Sequence, residues 1–266
     1  MNPPDEHIIE NRRYWNDDAS AWVAMGQRAW SSPPSWGIWS IPETELELLP
    51  DRLDGLDSIE LGCGTGYVSS WLARRGARAT GLDLSEEQLA TAASLRQEHG
   101  LDVNLVHGNA ERTPFPDERF DFAISEYGAA IWCDPHIWLA ETRRLLRPGG
   151  RLMFYGNHPL AQVCIPADGS RSTPHLHRPY FELWRTDWRD AEVDPGGIEF
   201  NLPISEWLGL FAQLGFVVDR YVEVQAPPGG DDEQYGVPRA WAERWPAEQA
   251  WILRLLPAEG GPKPPR

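Results

Sequence analysis

From Ser58 to Gly156 short apolar runs alternate with segments whose apolar residues recur at helical spacing. Ser58–Leu61 reads as a short strand running into a glycine cluster. Tyr67 to Arg75 follows as a helix, with Val68, Trp71 and Leu72 on one face and Gly76 near its end. Ala77 to Leu82 is the next strand and closes on Asp83. Ser85 with Gln88 three positions on signals a capping box, and Glu86 and Glu87 suit the first turn of that helix. Val103–Val106 is a third strand, and Phe120–Ser125 a fourth, apolar enough to be buried on both faces. Asp134-Pro135 offers a cap and a first-turn proline for a helix through Leu146. Pro148-Gly149-Gly150 then turns the chain into a fifth strand, Arg151–Tyr155.

The rhythm returns further on. Ser205–Leu214 reads as a helix stopped by Gly215, Phe216–Val224 as a strand, and Gln249–Leu256 as a last strand, antiparallel at or near the edge. Regular β-α alternation predicts an α/β fold, a doubly wound and mostly parallel seven-stranded sheet with helices on both faces. Five segments follow: an aromatic, loop-rich piece over 1–45 with one helix around Ile8–Ala24, an α/β core over 46–156, an insertion over 157–200 capping the sheet's C-terminal edge, the end of the core over 201–257, and a disordered tail over 258–266.

Charge narrows the partners. The net charge is −16, and an acidic field repels polyanions, so nucleic acid is not expected. The first residues carry no apolar h-region and no run is long enough to span a bilayer, which fits a cytoplasmic protein without a membrane span. Cys63, Cys133 and Cys164 are far apart and show no metal-ligand spacing, so no metal is expected. Of the 14 tryptophans, five lie in the first forty residues, either filling a core or facing a ligand.

The chemistry gathers at Glu60-Leu61-Gly62-Cys63-Gly64-Thr65-Gly66. Glycines there permit positive φ and close approach of a ligand to bare backbone, and the next helix offers its N-terminal amides. A dinucleotide fingerprint would need a glycine at position 67, where Tyr67 stands. Asp83, at the end of the second strand, can accept hydrogen bonds from both hydroxyls of a ribose.

The segments Ile59–Tyr67, Gly81–Ser85, Gly108–Glu111, Phe115–Asp117, Phe120-Asp121 and Leu145–Gly150 follow one another as they do in class I S-adenosylmethionine-dependent methyltransferases. The chain resembles in particular the branch grouped with ubiquinone and menaquinone biosynthesis methyltransferases. The resemblance implies a Rossmann-like fold, S-adenosylmethionine as cofactor with S-adenosylhomocysteine as product, and methyl transfer to a small-molecule acceptor. It implies that Glu60 organises the turn and the methionine end, and that Gly62, Cys63, Gly64 and Gly66 approach the ligand. Asp83 would hold the ribose, Leu84 pack on adenine, and Ser125 lie near the methionine moiety. Asn109 stands where the family usually has Asp and would accept from the adenine amine through its carbonyl oxygen, with Ala110 giving a backbone contact.

Toward the acceptor, Tyr14, Trp15, Trp36 and Trp39 are the expected ligand-facing members of an N-terminal lid. His158, Glu126 and Tyr127 are the candidate catalytic groups if the acceptor must lose a proton. The nucleic-acid amino-methylating motif, Asn or Asp with two prolines and an aromatic residue, is absent at Ser125–Gly128, so a small aromatic or apolar metabolite fits better. A NAD-dependent oxidoreductase would explain Gly62, Gly64 and Asp83 but not Tyr67 or Gly108–Glu111. A non-catalytic binder of the adenosyl ligand would keep every cofactor residue. Monomer and homodimer both remain open.

Overall fold

A computed structural model describes residues 6–257; the tail expected over 258–266 lies outside the described residues. The chain opens on two helices, α1 (Glu6–Asp17) and α2 (Ala19–Ser31), rather than on one helix within loop. They break at Asp18, whose carboxylate accepts from Trp22 Nε1 at 2.7 Å. An Asp that can bond locally competes with the helix ladder. A two-residue ladder, β1 (Ser35–Trp36) with β2 (Ile41–Pro42), and one turn of helix, α3 (Glu43–Leu46), lead into the core.

The core alternates as its periodicity predicts: β3 (Asp57–Leu61), α4 (Tyr67–Arg74), β4 (Arg78–Asp83), α5 (Glu86–His99), β5 (Val103–His107), β6 (Phe120–Glu126), a short α6 (Ala129–Trp132), α7 (Pro135–Leu145) and β7 (Leu146–Asn157). Capping fixes the helix starts. Ser85 Oγ accepts from Gln88 N at 3.1 Å, and the Asp134 carboxylate accepts from His136 N at 2.9 Å. Residues 157–200 contribute α8 (Pro159–Cys164) and an antiparallel pair, β8 (Arg185–Asp187) with β9 (Ile198–Phe200). The chain ends with α9 (Ile204–Leu214), β10 (Phe216–Val224), the small pair β11 (Glu233–Gln234) and β12 (Val237–Pro238), α10 (Arg239–Ala242) and β13 (Glu248–Leu255). Gly215, at φ +79°, caps α9 in the left-handed conformation that favours glycine.

The seven-stranded sheet has the order β10-β13-β7-β6-β3-β4-β5, and only β13 runs opposite to the other six strands. It lies one strand in from the edge. Strand order reverses between β3 and β6, the switch point where doubly wound sheets open a crevice at their carboxyl ends. Period-two alternation serves two cores: on β7, Met153 and Tyr155 pack into one face, and Leu152 and Phe154 into the other. Trp30, Trp36, Trp138, Trp207 and Trp251 are all fully buried, so much of the tryptophan content is core. No described helix is long and apolar enough to cross a membrane.

Candidate active site

The glycine turn stands at the switch point, pinned to β4 by two amides: Gly62 N and Cys63 N both donate to Leu82 O, at 2.8 and 3.0 Å. Gly62, Gly64 and Gly66 have φ of +76°, +50° and +75°, which makes glycine the low-cost residue at each. They differ in what a side chain would meet. A Cβ on Gly62 would stand 2.7 Å from the backbone of Gly128 and Ala129, so this glycine lets the turn touch the loop after β6. One on Gly66 would press on Ala92 and Trp30, and Gly66 does not line the cavity. At Gly64 the nearest atom would be Gln88 Oε1 at 3.8 Å, and the space beyond is cavity. Gly64 is therefore the position where a side chain would fill ligand space.

Asp83 closes β4 beside it, its Oδ2 accepting from Gly64 N at 2.7 Å and its Oδ1 from Ser85 N at 2.8 Å. Each oxygen keeps a lone pair. Burial raises its pKa, against the stabilising backbone donors. Leu84, Cys63 and Ala110 line the same cavity. Asn109 does too, but its Oδ1 accepts from Glu111 N at 2.9 Å, which leaves the Nδ2 donor for a ligand. Its carbonyl oxygen, expected to meet the adenine amine, keeps a second lone pair beside that bond. Two further positions lie behind the cavity. Glu60, 1% exposed, accepts from Ser69 N at 2.7 Å and ties α4 to β3, and burial lifts its pKa to about 8. Ser125, fully buried, donates to Leu61 O at 2.8 Å and accepts from Ala130 N at 3.1 Å.

Helices α1 and α2 cover the crevice. Asn11, 3% exposed, donates to Trp132 O and Ile198 O and accepts from Ile198 N, clipping α1 to β9 as a neighbouring strand would. Ser85 Oγ donates to Asn16 at 2.7 Å, and Arg12 pairs with Glu86. Trp30 Nε1 donates to Thr65 O at 2.8 Å, seating α2 on the glycine turn. Of the aromatic residues expected to face a ligand, Tyr14 and Trp15 line the cavity, with Tyr14 stacked on Trp132 at 5.8 Å. Trp36 and Trp39 do not. Trp36 is fully buried between Trp71 and Tyr155 and donates to Glu43 at 2.6 Å, while Trp39 lies under the Arg239 guanidinium. Trp22, Trp132, Trp188 and Tyr235 take their place in the wall.

The catalytic candidates separate in the same way. Glu126, 7% exposed, lines the cavity, bonded to the Tyr67 hydroxyl and accepting from Gly37 N at 3.2 Å. Burial raises its pKa. Tyr127 also lines the cavity, and its hydroxyl donates to Glu248 Oε1 at 2.7 Å. His158 is not part of the wall. Its Nδ1 accepts from Leu160 N at 3.0 Å as the cap of α8 and its Nε2 faces Glu223 at 3.2 Å, so both nitrogens are engaged, and burial lowers its pKa. As a free base for an acceptor it is excluded by that geometry. Glu199, Gln162 and Arg28, which the sequence did not single out, line the cavity as well.

Residues 59–154 match the family described as Methyltransferase domain. The ubiquinone biosynthesis O-methyltransferase of Maricaulis maris is 36% identical over 101 residues, 38% of this chain and 40% of that protein. The malonyl-[acyl-carrier protein] O-methyltransferase of Pectobacterium atrosepticum is 39% identical over 114 residues, 42% of each chain. The chain thus spans about two fifths of the length of these curated relatives. In fold it is similar to an S-adenosylmethionine-dependent methyltransferase from Mesorhizobium loti, with a TM-score of 0.64 at 20% identity, over 82% of this chain and all of that one. Glycine turn, Asp83 and strand order agree with these likenesses: residues 59–154 carry a methyltransferase domain of the class I S-adenosylmethionine-dependent kind, whose cofactor is S-adenosylmethionine.

Proposed function

We propose that the chain is an enzyme that transfers the methyl group of S-adenosylmethionine to a small acceptor with an aromatic or apolar body. The observation that carries this reading is one continuous cavity of about 730 Å³. It runs from the glycine turn, beneath α1 and α2, to the segment after β7. Its volume lies toward the upper end of the range for small-molecule sites, roughly 300–1,000 Å³.

The chain's own residues fit the cofactor. Asp83 offers two lone pairs to the ribose hydroxyls, Leu84 and Ala110 flank the base, and Asn109 Nδ2 suits a ring nitrogen of adenine. Arg28 lines the cavity, makes no ion pair among the described residues, and is suited to the methionine carboxylate. When bound, the cofactor supplies an electrophilic methyl on a sulfonium. Tyr14, Trp15 and Trp132 hold the acceptor in line and exclude water, and orientation of this kind is worth roughly 7–11 kcal/mol in favourable cases. Glu126, oriented by Tyr67 and Gly37 N–H, would take the proton that the acceptor loses on methylation.

Two measurements test the reading. Titration calorimetry should show S-adenosylhomocysteine binding that Asp83→Ala weakens at least tenfold. A screen of small aromatic and apolar metabolites, following S-adenosylhomocysteine release, should give turnover that Glu126→Gln lowers while the cofactor affinity stays. Binding of NADH with no binding of S-adenosylhomocysteine would overturn the reading. Tight binding with no turnover of any acceptor would leave a binding protein in place of an enzyme.

A further inference from the structure

We infer that the part of the cavity beyond β7 is an ammonium site, so that the acceptor carries a basic amine held by Glu199 and Gln162. Calling the ligand an acceptor rests on the methyl-transfer reading, but the amine site stands on its own geometry. In the sheet order β7 lies on the opposite side of β3 from β4 and β5, away from the turn, Asp83 and Asn109. Helix α8, starting two residues past β7, brings Gln162 to this end, and the β8–β9 pair brings Glu199 opposite Thr186.

The corner holds acceptors without donors. Gln162 is 2% exposed, its Nε2 donating to Thr186 Oγ1 at 3.1 Å and Glu199 Oε2 at 3.4 Å, while its Oε1 has no partner. Glu199 Oε2 also accepts from Trp188 Nε1 at 3.1 Å, and its Oε1 makes no hydrogen bond among the described residues. A buried acceptor left unpaired costs about 1–3 kcal/mol, which a ligand bearing several N–H donors recovers. An ammonium group has three. Trp188 and Tyr14 add aromatic faces, which attract a cation through their ring quadrupoles.

No protein cation already fills the place. Arg178 lies over the Trp188 ring at 4.7 Å and its charge is felt at Glu199, but it donates to Ile165 O at 2.9 Å and stops short of an ion pair with that carboxylate. His7 is bound to Glu111 at 2.7 Å. The cavity's acids are Asp83, Glu126, Asp194 and Glu199, against Arg28 and His7 as bases, in a chain of net charge −16. A crevice of one sign, with low-dielectric walls, concentrates ligands of the other. A carboxylate or phosphate acceptor would meet the Glu199 carboxylate here, with the Gln162 and Trp188 N–H donors already engaged. No group of three or more metal-ligating side chains occurs among the described residues.

The test uses the full chain saturated with S-adenosylhomocysteine and matched probes of one ring and chain length: 2-phenylethylamine, 2-phenylethanol and phenylacetate, with the corresponding four-carbon-chain set. Calorimetry should show an amine of at least one set binding at least tenfold more tightly than its matched alcohol and carboxylate. Glu199→Gln and, separately, Gln162→Leu should remove most of that preference while S-adenosylhomocysteine affinity, which reports an intact fold, stays within twofold. Amines that bind no better than their partners, or a preference that survives in both variants, would overturn the inference. Failure of the wild-type chain to bind S-adenosylhomocysteine would count against the methyl-transfer reading instead.

Discussion

Replacing Gly26 by alanine sets two effects of opposite sign against each other. Gly26 is buried within α2, where alanine is favoured over glycine by about 1 kcal/mol. Its new Cβ, however, would stand 2.8 Å from Thr65 Oγ1, 2.9 Å from Thr65 Cβ and 3.0 Å from Thr65 Cγ2. Thr65 is 2% exposed, its carbonyl is fixed by Trp30 Nε1, and it cannot swing aside, so α2 or the turn must give. Overpacking of this kind costs about 1–3 kcal/mol. The net expectation is a loss of about 1 kcal/mol, a fall in Tm of about 2–4 °C, and weaker S-adenosylhomocysteine binding because α2 no longer seats on Gly64–Gly66. Thr65→Gly removes all three contacts, and in that background Gly26→Ala should gain about 1 kcal/mol. Urea denaturation of the four proteins then gives a coupling of about 2 kcal/mol. A Gly26→Ala variant that is more stable than wild type and binds the ligand unchanged would refute the seating of α2 on the turn.

Three further outcomes follow from the same geometry. Burial lifts Glu248 to about 7 from 4.5, so the folded chain holds a proton that the unfolded chain releases, and stability falls as pH rises between those values. Glu248→Gln, still accepting from Ile38 N and Tyr127, should gain up to about 3 kcal/mol on wild type between pH 4.5 and 8 in urea denaturation, and a constant difference would refute the shift. His158→Ala should cost about 1 kcal/mol through loss of the α8 cap with kcat/KM unchanged, whereas a large kinetic loss at unchanged stability would restore His158 to the site. Asn109→Asp keeps the bond to Glu111 N while replacing the ligand-facing donor with an acceptor set against the adenine ring nitrogen; calorimetry should show S-adenosylhomocysteine binding several-fold weaker, and tighter binding would refute that orientation.

The two ends of the cavity were unequally legible for a physical reason. The turn, Asp83, Leu84 and Asn109–Ala110 sit at the carboxyl ends of successive strands, so their position is written in local periodicity and in glycines whose φ is set within a few residues. Local signals do not reveal which way a neighbouring side chain faces. Glu60 lies on the strand that runs into the turn and Ser125 is next to the cavity residue Glu126 on β6, yet their side chains are turned to α4 and to α6. Trp36 and Trp39 lie in the same aromatic segment as Trp15, and only packing against Trp71, Tyr155 and Arg239 takes them from the wall. His158 follows a strand that ends at the crevice, but Pro159 starts a helix there and the histidine becomes its cap. That proline after a side chain able to cap was the available signal.

The far end draws on segments that share no periodicity: Tyr14 on α1, Trp132 after β6, Gln162 on α8, Trp188 and Glu199 around the β8–β9 pair, and Tyr235 between β11 and β12. No single stretch of sequence could announce it. What joins the ends is α1. Its Asn16 and Arg12 hold Ser85 and Glu86 beside Asp83, and its Asn11 holds Ile198, next to Glu199. An acceptor that draws on Glu199 therefore acts on the strand that anchors α1, and the same helix closes over Asp83. Two ligands that both draw on the seat of α1 are coupled reciprocally, so an acceptor bound at the β7 end should tighten S-adenosylhomocysteine binding, and Asn11→Ala should abolish that effect before it abolishes either binding event.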